Sequence, residues 1–171
     1  ADILLDVLAM PRSRMTVTQV VDFLYRQPVR DRFKLSLDEL ERIRQWVGEA
    51  HLHWGTDEAH RASYGRPEVE EHTWRHGLDR LLLGVAIAGD GQRVWQGLMP
   101  VPHLEGGATA TLGKFVDFAE TLLAHVEDLD RPRGRTEWYH YLSKILGDLT
   151  RVGEKRAWLR LRLEQALAEL F

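Results

Sequence analysis

Apolar side chains recur every three or four positions along most of the chain, a spacing that predicts amphipathic α-helices. The clearest stripe follows Ala108 and comprises Leu112, Phe115, Val116, Ala119, Leu122, Leu123 and Val126. Further helices are predicted at residues 2–9, 57–64, 73–88 and 154–170, and from Thr16, Pro28, Ser36 and Thr136 onward. The pattern therefore predicts an all-α fold, a compact bundle of about seven or eight helices in one helical domain over residues 1–171.

Several helix starts carry a local signal. Thr16 with Gln19 and Ser36 with Glu39 have the Ser/Thr-x-x-Glu/Gln spacing of a capping box. Thr73 is a natural N-cap for the helix that follows it. Residues 89–107 have no helical period, and we expect an irregular segment there, with a strand at VWQGLM as the alternative.

The stretch TWRHGLDRLLLG (73–84) combines chemically active residue types with an apolar run. On a helix, Trp74, Leu78 and Leu81 share one broad side, and Gly77, Gly84 and Ala88 lie on or beside it. Glycine inside a helix is unfavourable, so these small residues predict the close approach of another helix. Arg75 and Asp79 stand four apart, where they are able to pair.

A metal site is the alternative interpretation of this region. His72 and His76 have the four-residue spacing with which two helical imidazoles share a zinc ion, and Glu70 or Glu71 is an available third ligand. A zinc protease needs Glu directly after the first histidine, and Thr73 stands there. We therefore interpret His51, His53, His72 and His76 as surface or hydrogen-bonded residues, with a small metal-dependent hydrolase as the competing hypothesis.

Other catalytic patterns are missing. GATATLGK (107–114) resembles a phosphate-binding loop, but its spacing is one residue too long and Phe115 replaces the metal-binding hydroxyl. There is no Gly-x-Ser-x-Gly elbow, no dinucleotide motif and no cysteine. We expect no catalytic residue, no metal and no cofactor in this chain.

Composition is that of a globular protein, with 44% apolar and 29% charged residues and a net charge of −3. The longest apolar run, LLLGVAIAG, is too short to span a membrane. Arginines nevertheless cluster locally. Arg131, Arg133 and Arg135 lie in a predicted turn with Pro and Gly, where a phosphate of a nucleic-acid backbone is able to reach them. The candidate DNA contacts are Arg12, Arg14, Arg131, Arg133 and Arg135.

Three ordered segments resemble the RecC family, the gamma chains of exodeoxyribonuclease V. They are SRMTVTQVVDFL, LERIRQWVGEAHLHWG and EEHTWRHGLDRLLLGVAI, and WQGLMPV resembles the family's next segment. The match runs from about Pro11 to about Pro102. Departures occur at His76, where the family has an aromatic residue, and at His51-Leu52-His53, where it has a Gly-Ile-Arg-like triplet.

The resemblance implies a bacterial, cytoplasmic role in double-strand-break repair by homologous recombination. RecC acts with two motor subunits, RecB and RecD, and its front half is helicase-like without ATPase motifs. The chain would be an internal piece of that half, the helical accessory subdomain called 2B, which supports assembly and handles DNA without catalysis. A protein-only scaffold without DNA contact is the alternative. A piece of a larger complex should also expose an apolar patch, for which we name Trp95, Leu98 and Met99.

Overall fold

The computed structural model describes residues 2–87, 94–102, 104, 107–153 and 157–170. Within these ranges the chain forms nine α-helices and a 3-10 turn at Met10–Arg12, with no strand. The all-α prediction is confirmed, and the count is slightly above the predicted seven or eight. The helices are α1 (Asp2–Ala9), α2 (Val17–Tyr25), α3 (Gln27–Arg32), α4 (Leu37–Glu49), α5 (Glu58–Ser63), α6 (Trp74–Ala86), α7 (Ala108–Asp128), α8 (Arg135–Leu149) and α9 (Ala157–Leu170).

Helix α7 is the centre of the bundle, because it contacts α4, α6, α8 and the 3-10 turn. Its predicted apolar stripe is buried except for the half-buried Val116, and Phe115 in the stripe and Phe118 beside it have no exposed surface. The ring of Phe118 lies 5.3 Å from that of Phe33 and 6.3 Å from that of Phe23. The stripe predicted from the three-and-four spacing therefore forms the middle of the core.

The predicted caps at Thr16, Ser36 and Thr73 are confirmed, since each side chain accepts a backbone N–H of the first helical turn. The helix predicted from Thr136 begins one residue earlier and is not capped by Thr136, because α8 starts at Arg135 with Gly134 as its N-cap. The carboxylate of Glu137 accepts the N–H of Gly134 (2.7 Å) and so fixes the earlier start.

The small residues of α6 do allow close packing, but the expected neighbouring helix is not there. A Cβ atom at Gly77 would overlap the side chain of Leu52, in the loop after α4. A Cβ atom at Gly84 would overlap the carbonyl oxygen of Val101, in the irregular segment. The glycine side of α6 is thus filled by two non-helical stretches, and Ala88 lies outside the described residues.

Two further local expectations are settled by contacts from distant parts of the chain. Arg75 pairs with Glu127 (2.6 Å) and Asp57 (3.6 Å) rather than with Asp79. The GATATLGK stretch enters α7, where the ammonium group of Lys114 pairs with Glu39 (2.6 Å).

No helix in the described ranges is both long and apolar enough to cross a bilayer.

The predicted irregular segment is confirmed where the structure describes it, at residues 94–102 and 104. The suggested strand does not form there, and only an isolated bridge joins Trp95 to Leu98. Residues 89–93, 103, 105 and 106 of this segment lie outside the described residues.

Candidate functional site

Three separate segments meet at the start of α6, and we call them together the α6 junction (residues 13–17, 51–56 and 70–76). Backbone hydrogen bonds join the middle segment to each of the other two. They are Val17 N–H to His53 O (3.0 Å), Gly55 N–H to Arg14 O (2.9 Å), Trp74 N–H to Gly55 O (2.9 Å), Arg75 N–H to Thr56 O (3.0 Å) and His53 N–H to His72 O (3.0 Å). The first amides of α6, which a helix leaves without an internal partner, are therefore satisfied inside the protein.

Trp74 is the buried centre of the junction. Its side chain has no exposed surface, and its indole N–H donates to the carbonyl oxygen of Met15 (2.8 Å). Met15 is itself fully buried and holds a left-handed backbone, with φ at +51°. A buried indole needs such a partner, so Trp74 fixes the segment before α2 against α6.

Two arginines hold loops around α6 in place by donating hydrogen bonds to main-chain carbonyl oxygens. Arg61, only 8% exposed, donates to the carbonyl oxygens of Trp54 (3.1 Å) and Glu71 (2.6 Å), and its guanidinium lies over the Trp54 ring. Burial lowers the pKa of Arg61 from its ordinary value. Arg80 donates to the carbonyl oxygens of Ala50 (2.8 Å) and Met99 (2.7 Å).

Sequence reasoning missed both Arg61 and Arg80. Their acceptors are main-chain carbonyl groups, which every residue has, so no residue pattern marks the partners. In the sequence these two arginines stand only as single charges, without a spacing that assigns them a role.

The histidines of the junction pack on one another. The rings of His53 and His72 stack at 4.7 Å, and His72 Nδ1 donates to the carbonyl oxygen of His51 (2.8 Å). Burial, helped by the neighbouring His72, Arg61 and His51, lowers the pKa of His53.

The zinc interpretation requires His72 and His76 on one helix face. His72 precedes the Thr73 N-cap, so it is not on α6 with His76. Among the described residues, no three His, Cys, Asp or Glu side chains converge as a metal site. Main-chain contacts, rather than a ligand set, account for the position of His72.

The arginines of the α7–α8 turn differ in exposure. The side chain of Arg133 is 12% exposed and lies 3.8 Å from the ring centre of Tyr141. It pairs with Asp128 and donates to the carbonyl oxygen of that residue (2.7 Å). Arg131 is 78% exposed and pairs with Asp128 at 3.0 Å, while Arg135 is exposed on the first turn of α8. Arg133 therefore has a structural role.

Arg12 and Arg14 are exposed beside the junction. The guanidinium of Arg14 lies 5.6 Å from the ring centre of Trp54. Glu68, Glu70 and Glu71 are exposed in the loop whose carbonyl oxygens accept hydrogen bonds from Arg61.

A second polar cluster occupies a cleft between α7 and α8. His125, only 4% exposed, has Nε2 3.0 Å from the Asp148 carboxylate and Nδ1 3.3 Å from the Tyr141 hydroxyl. Burial is the main cause that lowers the pKa of His125 and raises the pKa of Tyr141 to about 12. Both ring nitrogens are engaged within the protein, so neither is available to a substrate.

The predicted apolar patch is partly confirmed. Trp95 and Met99 are 58% and 50% exposed, whereas Leu98 is half-buried.

The family model for the fourth domain of RecBCD enzyme subunit RecC matches residues 1–171. This chain belongs to the RecC fourth-domain family. Curated relatives include RecBCD enzyme subunit RecC of Mycolicibacterium smegmatis, 33% identical over 96% of this chain, and of Mycobacterium tuberculosis, 30% identical over 96%. RecC of Escherichia coli is 30% identical over 78% of the chain. The chain spans only about 15% of the length of the first two relatives and 12% of the third.

The family resemblance and the geometry coincide. The three RecC-like segments seen in the sequence supply the three backbone segments that meet at the α6 junction. These three segments therefore join the loops to α6.

Proposed function

We propose that this chain is a non-catalytic structural module of a RecC subunit that supports assembly of a RecBCD-type helicase–nuclease. The observation that carries the proposal is the α6 junction, whose backbone amides and Trp74 indole, together with the nearby buried guanidinium of Arg61, are satisfied by the protein's own carbonyl oxygens. Such an arrangement holds three backbone segments in place.

The role we propose for the parent complex is double-strand-break repair by homologous recombination in the bacterial cytoplasm. RecB-like and RecD-like motor subunits are the proposed partners, and the chain would correspond to the 2B subdomain. Family membership and the names of the relatives, which are RecBCD enzyme subunits, support a place in such a complex. The 2B assignment rests on the resemblance of the sequence segments alone.

Assembly is tested by domain exchange. The region of M. smegmatis RecC that matches this chain would be replaced by residues 1–171, and the hybrid purified with its RecB and RecD partners. We expect a stable complex with ATP-dependent nuclease activity. A hybrid that folds but does not associate with the other subunits would contradict the proposal.

DNA handling is the second part of the proposal, and Arg12, Arg14, Arg131 and Arg135 are its exposed candidates. Binding of the hybrid complex to DNA is measured at several salt concentrations, because the affinity depends less steeply on salt when the protein neutralises fewer phosphates. We expect the Arg12→Ala/Arg14→Ala variant to have a shallower slope than the unmodified complex.

A protein-only scaffold is the competing function, and a specific observation favours it. Arg133, one of the predicted DNA contacts, is instead engaged by Tyr141 and Asp128 inside the protein. Unchanged salt slopes for Arg12→Ala/Arg14→Ala and for Arg131→Ala/Arg135→Ala would support this alternative and exclude DNA contact by these residues.

A further inference from the structure

Residues 94–99, which we call the Trp95 turn, show an apolar surface that no described residue covers. Val94, Trp95 and Met99 are 57%, 58% and 50% exposed. Residues 94–102 contain no charged side chain, although 29% of the whole chain is charged. Exposed tryptophan and methionine side chains are typical of the centre of a protein interface.

The Trp95 turn is a tight turn closed by backbone hydrogen bonds. Trp95 and Leu98 exchange two backbone hydrogen bonds of 2.8 and 2.9 Å, so Gln96 and Gly97 form the two-residue loop of a hairpin. Both loop residues are left-handed, with φ at +50° and +86°, as in a type I′ turn. Gln96 adopts this conformation although side chains disfavour it, and the turn is therefore constrained by its surroundings.

The base of the turn is fixed to α6. Arg80 donates to the carbonyl oxygen of Met99 (2.7 Å), and its own carbonyl oxygen accepts the N–H of Val101 (3.1 Å). Val101 and Leu104 have no exposed surface and pack where Gly84 leaves room. An exposed tryptophan on such a rigid base loses little conformational entropy on binding.

We propose that the Trp95 turn docks into an apolar pocket on another domain of the RecC polypeptide to which this module belongs. The proposal rests on the function proposed above. The lack of charge in residues 94–102 favours an apolar protein surface over a phosphate backbone. The matched region is only 15% of the M. smegmatis relative, so most of that RecC polypeptide is available as the neighbouring surface.

Thiol labelling tests the docking directly, because the chain has no cysteine. Gln96→Cys places a single thiol at the tip of the turn, and Ser63→Cys places a control thiol on the exposed side of α5. Maleimide labelling is followed in the 171-residue chain and in the M. smegmatis RecC hybrid, whose other cysteines are replaced by serine. We expect labelling at position 96 to be slower in the hybrid by about tenfold or more, and labelling at position 63 to be unchanged.

Trp95→Ala combined with Gln96→Cys identifies the anchor. The Trp95 side chain is largely exposed, so its removal should leave the melting temperature of the 171-residue chain unchanged. In the hybrid, Trp95→Ala should restore labelling to the rate of the free chain. Amide hydrogen exchange of residues 94–102 tests the same point without any substitution in the turn. We expect slower exchange in the hybrid than in the free chain.

Several outcomes would overturn the docking proposal. Equal labelling in the free chain and in the assembled complex would show that nothing covers the turn. Protection that needs added RecB or RecD, or added single-stranded DNA, would assign the surface to that partner. Protection of the free chain at high concentration would assign it to a second copy. In each of these cases the hybrid complex still assembles. The docking proposal then fails, while the structural role proposed for the module is unaffected.

Discussion

At the residue scale, two glycines set how closely the chain packs around α6. Gly77 faces the side chain of Leu52, and Gly84 faces the backbone of Val101 and the side chain of Leu104. Glycine in a helix costs about 0.5–1 kcal/mol relative to alanine, so the close approach compensates for an intrinsic weakness of α6.

Gly84→Ala should therefore destabilise the protein even though alanine is the better helix former. Its Cβ atom would meet a backbone carbonyl group, and we expect the free energy of unfolding to fall by about 1–3 kcal/mol. Gly48→Ala in α4 is the matched control, because its Cβ atom would meet nothing within 4 Å. Urea unfolding should show a gain of about 0.5–1 kcal/mol for the control. A gain for both variants would contradict the packing described here.

Trp74→Phe removes the indole N–H that satisfies the carbonyl oxygen of Met15 and leaves a small void. Both effects act in a fully buried position, so we expect a loss of about 2–4 kcal/mol in the free energy of unfolding. Trp158→Phe is a suitable control, since Trp158 is 54% exposed. Similar losses for the two variants would show that Trp74 is not the centre of the junction.

Residues whose role depends on near neighbours in the sequence were predictable. The caps at Thr16, Ser36 and Thr73 need only the next helical turn, and all three are present. His51 and His72 hold left-handed backbones at φ of +52° and +67°, and no glycine marked these turns. Their conformations are set by hydrogen bonds across the junction, which a single sequence does not display.

At the scale of elements, α4 and α7 are joined through Glu39. Its carboxylate accepts hydrogen bonds from Lys114 (2.6 Å), from Thr111 (3.0 Å) and from the N–H of Ser36 (2.7 Å). Burial opposes ionisation of Glu39, but these hydrogen bonds outweigh it and lower the pKa to about 2. Glu39 thus caps its own helix and also anchors α7.

This arrangement predicts a pH-dependent contribution to stability. Because the folded-state pKa of Glu39 is below the ordinary value of 4.5, its stabilisation is present above pH 4.5 and is lost as the pH falls toward 2. Unfolding of wild type and Glu39→Gln is compared between about pH 7 and pH 2, and the difference in free energy should shrink across that window. The exposed Asp38→Asn, on the same helical turn, is the control. A constant difference for Glu39→Gln would refute the assignment.

The turn between α7 and α8 depends on Arg133 and much less on Arg131. Arg133→Ala removes the guanidinium stacked on Tyr141 and the less exposed of the two arginine partners of Asp128, for a loss of about 1–3 kcal/mol. Arg131→Ala breaks only an ion pair whose arginine is 78% exposed, and it should leave the melting temperature unchanged. Equal effects on the melting temperature would contradict the structural role of Arg133.

The helices themselves were easier to predict than the segments that pack against them. The stripe on α7 and the small-residue side of α6 are both periodic features and both face the core. What packs on Gly77 and Gly84 was mispredicted as a helix, because the real neighbours are a loop and the irregular segment. Arg75 similarly pairs with Glu127 on α7 instead of Asp79 in its own helix, since tertiary pairing overrides the local option.

At the scale of the whole molecule, the chain is a helical bundle in which three separate segments are hydrogen-bonded together at the start of α6. The RecC-like segments meet at the α6 junction, and the apolar Trp95 turn is anchored to the later part of the same helix. One helix thereby connects the packing inside the module with the surface proposed to meet the rest of RecC.

The most direct test of a structural rather than catalytic role is the nuclease activity per assembled complex. His72→Ala/His76→Ala and His125→Asn remove the histidines that chemistry would need, while Gly84→Leu disrupts packing. In the RecC hybrid complex, we predict unchanged ATP-dependent nuclease activity for every histidine variant that assembles, and loss of assembly for Gly84→Leu. A histidine variant that forms the full complex, binds DNA normally and yet loses nuclease activity would contradict the account.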